Sequence, residues 1–242
     1  MAEEHYGPLA PSTDLPERTR PQEPPQLAER RLSFGDPRIA QPYVVRTYLA
    51  PERNSGDQAR AAALTVLAEV LGGNPATSVL GRKLQFESQA ALHTGTWYDG
   101  GALDPTTFTL TVVPAPGLTL QQAEDALDKV IADFLQTGVD PAQLDRIKTQ
   151  IRAAEIYAND NVDRLARRYG EALTTGLNVQ DVQDWPAVLQ QVSAEDVMAA
   201  ARDVFDRRRA VTGWAMRADG GTGAGAGGPA TDAALTGTGE TK

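Results

Sequence analysis

The sequence predicts an α+β fold in which helices cover one face of an antiparallel sheet. Short segments rich in β-branched and aromatic residues alternate between apolar and polar positions, which is the pattern of half-buried strands. Longer segments carry apolar residues three and four apart, the spacing of a helix that buries one face. In chain order the elements run β-β-α-α-β-β-α-α-α-α-β, which is an α+β layout.

Both ends of the chain are expected to lie outside the folded domain. Nine of the 16 prolines fall at or before Pro51, so residues 1–27 are predicted to form a proline-rich linker of extended chain. Residues 218–242 contain eight glycines and no aromatic residue, and this tail is predicted to be disordered. One α+β domain is left between them, at residues 28–217. A linker at the start suggests a piece of a longer protein.

Four strands and two helices are predicted in the first half of the domain. The strands are Ala28–Phe34, Pro42–Leu49, Ala91–Tyr98 and Thr106–Val113, the last two as an antiparallel pair. The first helix covers Asp57–Leu71, with Asp57 as its candidate cap and Gly72-Gly73 as its end. The second helix covers Thr77–Phe86.

Four helices and a closing strand are predicted in the second half. The helices are Thr119–Gln136, a long helix from Pro141 past Leu165 to Leu173, Val179–Val192 and Ala194–Val204. Ser193 and Asp196 form a variant of the capping box at the start of the last of these helices. The strand is Arg209–Met216.

Composition excludes several functional classes. The formal net charge is −9, from 23 Lys+Arg against 32 Asp+Glu, which argues against a nucleic-acid or anionic-membrane surface. The lack of cysteine excludes disulfides, thiolate zinc sites and cysteine nucleophiles. His5 and His93 are far apart and belong to no H-x-x-E-H motif, so no metal site is expected in this chain. No signal peptide or membrane helix is predicted, and the compartment stays open between periplasm and cytoplasm.

Nucleophile and phosphate-loop motifs are also missing from the sequence. Ser78 and Ser88 have no histidine within predictable reach, as a hydrolytic triad would need. The glycines of Gly72-Gly73-Asn74-Pro75 follow a predicted helix, whereas phosphate-binding loops follow a strand.

Three groups of side chains have both a functional and a plain structural interpretation. Carboxylates on predicted helices could hold a divalent cation, although a solvated helix face is favoured: Glu124, Asp125 and Asp128, and Asp160 with Asp163. Arginine clusters could bind a substrate carboxylate, although surface ion pairs are favoured: Arg164, Arg167 and Arg168, and Arg207, Arg208 and Arg209. Trp97-Tyr98 could line a peptide cleft or pack in the core.

Several short motifs of the sequence resemble those of a known protein family. They occur in the order Tyr48-Leu49-Ala50-Pro51, Val70-Leu71-Gly72-Gly73, Ser78-Val79-Leu80, Gly95-Thr-Trp-Tyr-Asp-Gly-Gly101, Tyr169-Gly170 and Trp185-Pro186. This order and spacing resemble the C-terminal half of bacterial peptidases of family M16, the insulinase/pitrilysin-type zinc peptidases. The similarity covers residues 28–216.

The resemblance implies a concrete function. Such peptidases consist of two similar α+β halves, in one chain or as two subunits, that face each other around a chamber for an unfolded peptide. The other half binds zinc through H-x-x-E-H, and zinc is therefore expected in the partner half and not in this chain. The implied partners are that half and a peptide substrate, and the exposed partner face could also drive self-association.

One departure from the family concerns an Arg and, seven residues on, a Tyr, with which active members bind substrate near the zinc. Gln85 and Leu92 occupy these two positions here. No catalytic residue is therefore predicted, and the substrate-binding residues stay unassigned. The leading hypothesis is the non-catalytic half of a two-domain zinc peptidase. An inactive scaffold subunit of the same fold is the alternative, and an enzyme that uses Asp160, Asp163 and a divalent cation is a third hypothesis.

Overall fold

The computed structural model describes residues 1–10, 26–158 and 160–218, and it confirms the predicted α+β class. The strands are β1 Arg30–Gly35, β2 Tyr43–Ala50, β3 Ala91–Tyr98, β4 Thr106–Pro114 and β5 Ala210–Met216. The helices are α1 Ala2–Tyr6, α2 Ala59–Gly72, α3 Leu120–Thr137, α4 Pro141–Ala158, α5 Val162–Thr174, α6 Val179–Gln191 and α7 Ala194–Val204. A π-helix covers Gly81–Glu87 and a 3₁₀-helix covers Arg207–Arg209.

The predicted linker and tail lie largely outside the described residues. The short helix α1 falls within the segment predicted to be extended linker, just before Pro8. Residues 11–25 of the predicted linker and residues 219–242 of the predicted tail are not among the described residues.

The sheet is mixed, with the strand order β1-β5-β2-β4-β3. All neighbouring strands are antiparallel except β1 and β5, which are parallel. The exception follows from the strand directions. Because β1 and β2 run in opposite directions and β5 lies between them, β5 can be antiparallel to only one of them, and that strand is β2. Three of the four strand pairings are thus antiparallel, as predicted, and the β1–β5 pairing is parallel.

Three predicted helices differ from the observed ones, in extent, in cap position or in helix type. The long helix predicted from Pro141 to Leu173 is wrong, because Asn161 caps a separate helix: its Oδ1 accepts a hydrogen bond from the Arg164 amide at 2.9 Å. The cap position of α2 is Gln58, and not Asp57 as predicted. The segment predicted as an α-helix at Thr77–Phe86 is mainly the π-helix.

The hydrophobic core lies between the sheet and the helices on one side of it. Helices α2, α3 and α7 contact the sheet, while α4 and α6 pack on α2 from outside and α5 packs on α6. Three aromatic rings mark the centre of this core: Phe205 packs edge-on against Tyr48 and Phe108, with centroids 5.4 and 5.5 Å away. Within the described ranges, no helix combines the length and apolar character that crossing a bilayer requires.

Candidate functional site

The side of the sheet opposite the helices carries a continuous set of outward-pointing side chains. Successive strand residues point to opposite sides, so in β2 Val44, Arg46 and Tyr48 are buried while the residues between them face outward. We name this surface the open sheet face. It consists of Leu32, Phe34, Tyr43, Val45, Thr47, Leu49, Gly95, Trp97, Thr109, Thr111, Val211, Gly213 and Ala215.

Large apolar side chains on the open sheet face are exposed to an unusual degree. Phe34, Leu49 and Trp97 are 56%, 61% and 67% exposed. Scattered exposed apolar residues are ordinary, but the register also places Leu32 and Phe34 across β5 from Val45 and Tyr43, and such a contiguous apolar set marks an interaction surface. This face therefore has the character of a surface that another molecule covers.

The strand register arranges these residues in rows across the sheet. One row joins Leu32, Gly213, Val45, Thr111 and Gly95. Gly213 and Gly95 contribute no side chain to this row. Leu32 lies partly over Gly213, since a Cβ atom there would be 3.5 Å from Leu32 Cδ1.

A depression of about 320 Å³ lies at the β1–β5–β2 side of the open sheet face. Its walls are almost entirely apolar, and its aromatic side chains are Phe34 and Tyr43. Because it holds no charged side chain, it suits an apolar side chain of a peptide or partner and not a charged group.

The edge strand β3 borders the other side of this face. Among the described residues, no strand pairs with the outer edge of β3. Trp97 points to the open sheet face, while Tyr98 is buried, stacks on Phe108 and donates a hydrogen bond to Pro51 O at 2.7 Å. The two aromatic residues that the sequence grouped together thus have different roles, because they occupy alternating positions of one strand.

The two positions that the resemblance aligns with an Arg/Tyr pair carry Gln85 and Leu92. Gln85 Nε2 donates to Thr94 Oγ1 at 2.8 Å and ties the π-helix to β3. Leu92 lies at an irregularity in the β3–β4 pairing and is 50% exposed. Neither side chain can supply a cation or a phenol.

The helix-covered side of the sheet contains a set of charges that we name the charge cluster. Its members are Glu29, Arg31, Arg46, Glu124, Asp128 and Arg207. Three carboxylates face three guanidinium groups, so the cluster is neutral in sum. Glu124 lies at its centre and is fully buried.

Glu124 receives hydrogen bonds from three elements of the sheet. Arg31 on β1 donates to both carboxylate oxygens, at 2.7 and 2.6 Å. Arg46 Nη2 on β2 donates at 2.7 Å, and Trp214 Nε1 on β5 donates at 2.8 Å. Burial raises the pKa of Glu124, but the hydrogen bonds from Arg31 and Trp214 and the charge of Arg46 lower it below its ordinary value.

The interpretation of Glu124 and Asp128 as part of a solvated helix face is therefore wrong. Both carboxylates pair with arginines. Asp128 pairs with Arg46 and Arg207, and Glu124 pairs with Arg46 and Arg31. Asp125, between them on α3, is exposed and accepts a hydrogen bond from Gln121 Nε2. Arg207 belongs to the charge cluster and does not form an isolated surface pair.

The remaining candidates from the sequence are dispersed. Arg168 pairs with Glu155, whereas Arg164 and Arg167 are exposed on α5. Asp160 and Asp163 are exposed, beside the start of the same helix.

The serine and histidine candidates hold no catalytic arrangement. The Ser78 hydroxyl accepts from the Gly81 amide at 3.3 Å, and the Ser88 hydroxyl donates to Lys83 O at 2.7 Å. His93 is exposed on β3 and His5 is exposed on α1. Across the described part of the chain, no group of three His, Cys, Asp or Glu side chains could hold a metal ion, so these residues do not fit the zinc that the resemblance associates with such peptidases.

Comparison with known proteins places these observations in a family. The family model described as the peptidase M16 inactive domain matches residues 1–151. Among curated proteins, no match is found.

Several solved structures are similar in fold. A protease from Helicobacter pylori superposes with a TM-score of 0.74 at 18% identity, covering 88% of this chain and 50% of that one. A peptidase M16 inactive domain from Pseudomonas fluorescens gives 0.63 at 17% identity, covering 85% and 47%. The periplasmic protease of Escherichia coli gives 0.72 at 14% identity, covering 88% and 24%. The chain thus spans half or less of the length of these three relatives.

Proposed function

The chain belongs to the peptidase M16 inactive-domain family, and we propose that it is the metal-free half of a two-domain zinc peptidase, completing a peptide-binding chamber opposite a half that carries H-x-x-E-H. The observation that carries this proposal is the open sheet face. A helix layer buries one side of the sheet, while the other side exposes Phe34, Leu49 and Trp97. A chamber wall needs such a face, because it must bind apolar side chains of an unfolded peptide.

The proposed roles of the two halves differ because this chain lacks the groups that the catalytic chemistry needs. Its described residues offer no group of metal ligands, and Gln85 and Leu92 replace the Arg/Tyr pair. Zinc in the partner half would supply the activated water for peptide hydrolysis. This chain would contribute a peptide-binding surface and no catalytic group.

The edge of β3 offers a second means of holding a peptide. An extended peptide can add a strand to a free sheet edge through main-chain hydrogen bonds, which makes binding tolerant of peptide sequence. Trp97, next to this edge and facing outward, would then contact alternate side chains of the peptide. Recognition of this kind suits a chamber that accepts many sequences.

Association with an H-x-x-E-H half is the direct test. We expect sedimentation of the mixed halves to show a one-to-one complex, and Phe34→Glu to weaken peptide binding by that complex at least about tenfold, since a charge would face the apolar side chains of the peptide. Tyr157→Glu is the matched control: Tyr157 is 75% exposed but lies on α4, in the helix layer. Equal loss of peptide binding in both variants argues against the open sheet face as the chamber wall, and the lack of a complex argues against the pairing of the halves.

Peptide cleavage tests the catalytic part of the proposal. A quenched fluorescent peptide should not be cleaved by this chain alone, with or without zinc. Addition of the H-x-x-E-H half should give turnover that a chelator removes. Chelator-sensitive turnover by this chain alone would overturn the assignment of a metal-free half.

The loss of the Arg/Tyr pair favours a second candidate function, an inactive scaffold subunit. Gln85 is engaged with Thr94, and Leu92 offers no polar group to a substrate. A scaffold would form a stable complex with its partner half but add nothing to peptide turnover. The cleavage measurement on the complete assembly therefore distinguishes the two candidates.

A further inference from the structure

The cavity of about 480 Å³ between the π-helix, the end of α3 and the start of α4 has no part in the function proposed above. It lies on the helix-covered side, away from the open sheet face. Its walls are mainly apolar, with Val79, Val130, Phe134, Val139 and Pro141 among the lining residues. Four charged side chains also line it: Arg82, Lys83, Asp133 and Asp140. We name it the Arg82 pocket.

Rigid local structure surrounds this pocket. Gly81 packs so closely on the preceding turn that a Cβ atom would lie 2.1 Å from Pro75 O, and this contact places Arg82, the next residue. On the opposite wall the buried Gln143 amide donates to Thr77 O at 2.8 Å and to Val70 O at 3.3 Å. Contacts with backbone oxygens therefore fix the position of both walls, at Gly81 and at Gln143.

Arg82 is the unusual residue of the pocket. Its Nε is the one buried side-chain nitrogen or oxygen in the described residues that has no hydrogen-bond partner. Buried polar atoms almost always have a partner, and a charged donor without one is costly. The guanidinium also forms no ion pair with any described residue.

The other charges of the lining are compensated. Lys83 Nζ lies 2.7 Å from Glu87, Asp133 lies 2.7 Å from Lys129 Nζ, and Asp140 lies 3.9 Å from Arg146. One positive charge is thus left over, on Arg82. A single negative charge on the ligand would balance it.

We propose that the Arg82 pocket binds a carboxylate carried on an apolar body, with Arg82 as its anchoring cation. A guanidinium can donate two parallel N–H bonds to the two oxygens of one carboxylate, and no described residue competes for those of Arg82 by forming an ion pair with it. The apolar walls then receive the rest of the ligand. Two sources share this chemistry: a free aliphatic or aryl carboxylic acid, and the C-terminal residue of a peptide with an apolar side chain.

The test compares acids with their amides on the full chain. The probes are 3-phenylpropionate, 3-phenylpropionamide, and a tripeptide ending in Phe with either a free or an amidated C-terminus. We expect the acids to bind at least about tenfold more tightly than the amides in calorimetric titration, and to shift the Arg82 Nε–Hε resonance in nitrogen-15 spectra. Tighter binding of the tripeptide acid would identify a peptide end as the ligand, and tighter binding of 3-phenylpropionate a small acid.

Substitution at Arg82 completes the test. Arg82→Gln should weaken binding of the acid at least about tenfold, while Arg164→Gln, at an exposed arginine of α5, should leave it unchanged. Equal binding of acids and amides, or no saturable binding of either acid, would overturn the proposal. The acid–amide comparison and the Arg82 resonance use the unaltered chain, so this result stands even where the Arg82 variant does not fold.

Discussion

Arg46 on β2 and Glu124 on α3 form an ion pair between two side chains that are almost fully buried. Arg46 Nη2 lies 2.7 Å from Glu124 Oε1, and the two side chains are 2% and 0% exposed. Further hydrogen bonds compensate for the removal of both charges from water. Arg31 and Trp214 donate to Glu124, and Arg46 donates to Thr212. The pair joins the helix layer to the middle of the sheet.

Glu124→Gln should therefore be strongly destabilising. It leaves the Arg46 guanidinium buried beside a neutral amide, and loss of one partner of a buried pair costs about 3–5 kcal/mol. Denaturant unfolding measures the change. Asp125→Asn, one residue along the same helix but exposed, is the control and should stay within about 0.5 kcal/mol of the wild type. Equal losses of stability in the two variants would contradict the role of Glu124 as the buried partner of Arg46.

Stability should fall on the acid side of neutrality. The pKa of Glu124 and that of Glu29 are below their ordinary value of 4.5, because contacts with arginines outweigh the effect of burial. Arg208 holds the pKa of Asp206 at about 2. A carboxyl whose pKa is lower in the folded state than in the unfolded state stabilises the fold above its unfolded pKa. This stability is lost as the pH falls through the folded pKa.

We expect the free energy of unfolding to decline from about pH 5 downward. Urea unfolding at a series of pH values measures this decline. Glu124→Gln should make it shallower between about pH 5 and pH 3, since one of the responsible groups no longer titrates. An unchanged slope in the variant would show that this carboxyl has the same pKa in both states.

Two glycines should respond oppositely to replacement by alanine. At Gly72 a Cβ would meet the Thr96 amide nitrogen at 2.5 Å, so that the end of α2 would have to move off β3, at a cost of about 1–3 kcal/mol. At Gly170, within α5, a Cβ meets nothing within 4 Å, and alanine should stabilise by about 0.5–1 kcal/mol. Thermal unfolding of both variants measures the difference in sign, and a loss of stability in Gly170→Ala would show that α5 is not free at that point.

Asp181 should be the most important carboxylate of α6. It accepts hydrogen bonds from Ser55 Oγ at 2.7 Å, from the Gly56 amide at 3.2 Å and from the Asn178 amide at 2.9 Å. Asp181→Ala should cost about 2–3 kcal/mol in chemical unfolding, because it removes several bonds to a charged acceptor at once.

Asp184 supplies the control for Asp181, one turn along the same helix. It accepts a hydrogen bond from the exposed Gln180 side chain at 2.8 Å. Asp184→Ala should change the free energy of unfolding by less than about 0.5 kcal/mol. Comparable losses in the two variants would mean that the loop contacts of Asp181 contribute little.

The elements that local patterns determine could be predicted from the sequence. The capping box at Ser193 is an example: the Asp196 amide donates to Ser193 Oγ at 3.1 Å, and Asp196 accepts from the Ser193 amide at 2.9 Å. The apolar spacing that continues through Leu165 predicts one long helix from Pro141. That prediction did not use Asn161, whose side chain caps the separate helix α5.

The charge cluster could not be predicted from local patterns. Arg31, Glu124 and Arg207 meet only because β1, α3 and the 3₁₀-helix come together from distant parts of the chain. One signal was available: Arg46 has the same strand parity as Val44 and Tyr48, so an arginine at a core position implied a buried acid. Strand parity likewise separates Trp97 from Tyr98.

The position of β5 imposes an order of events during synthesis. β1 contacts the sheet only through β5, which is the last strand of the described domain and lies between β1 and β2. Until β5 has been synthesised, β1 therefore lacks the neighbour with which it pairs in the complete sheet, although it is the first strand in the chain. The helix layer can form on β2, β4 and β3 beforehand, but Arg31 reaches Glu124 only after the final strand arrives. The native five-stranded sheet can therefore be completed only after β5 has been synthesised.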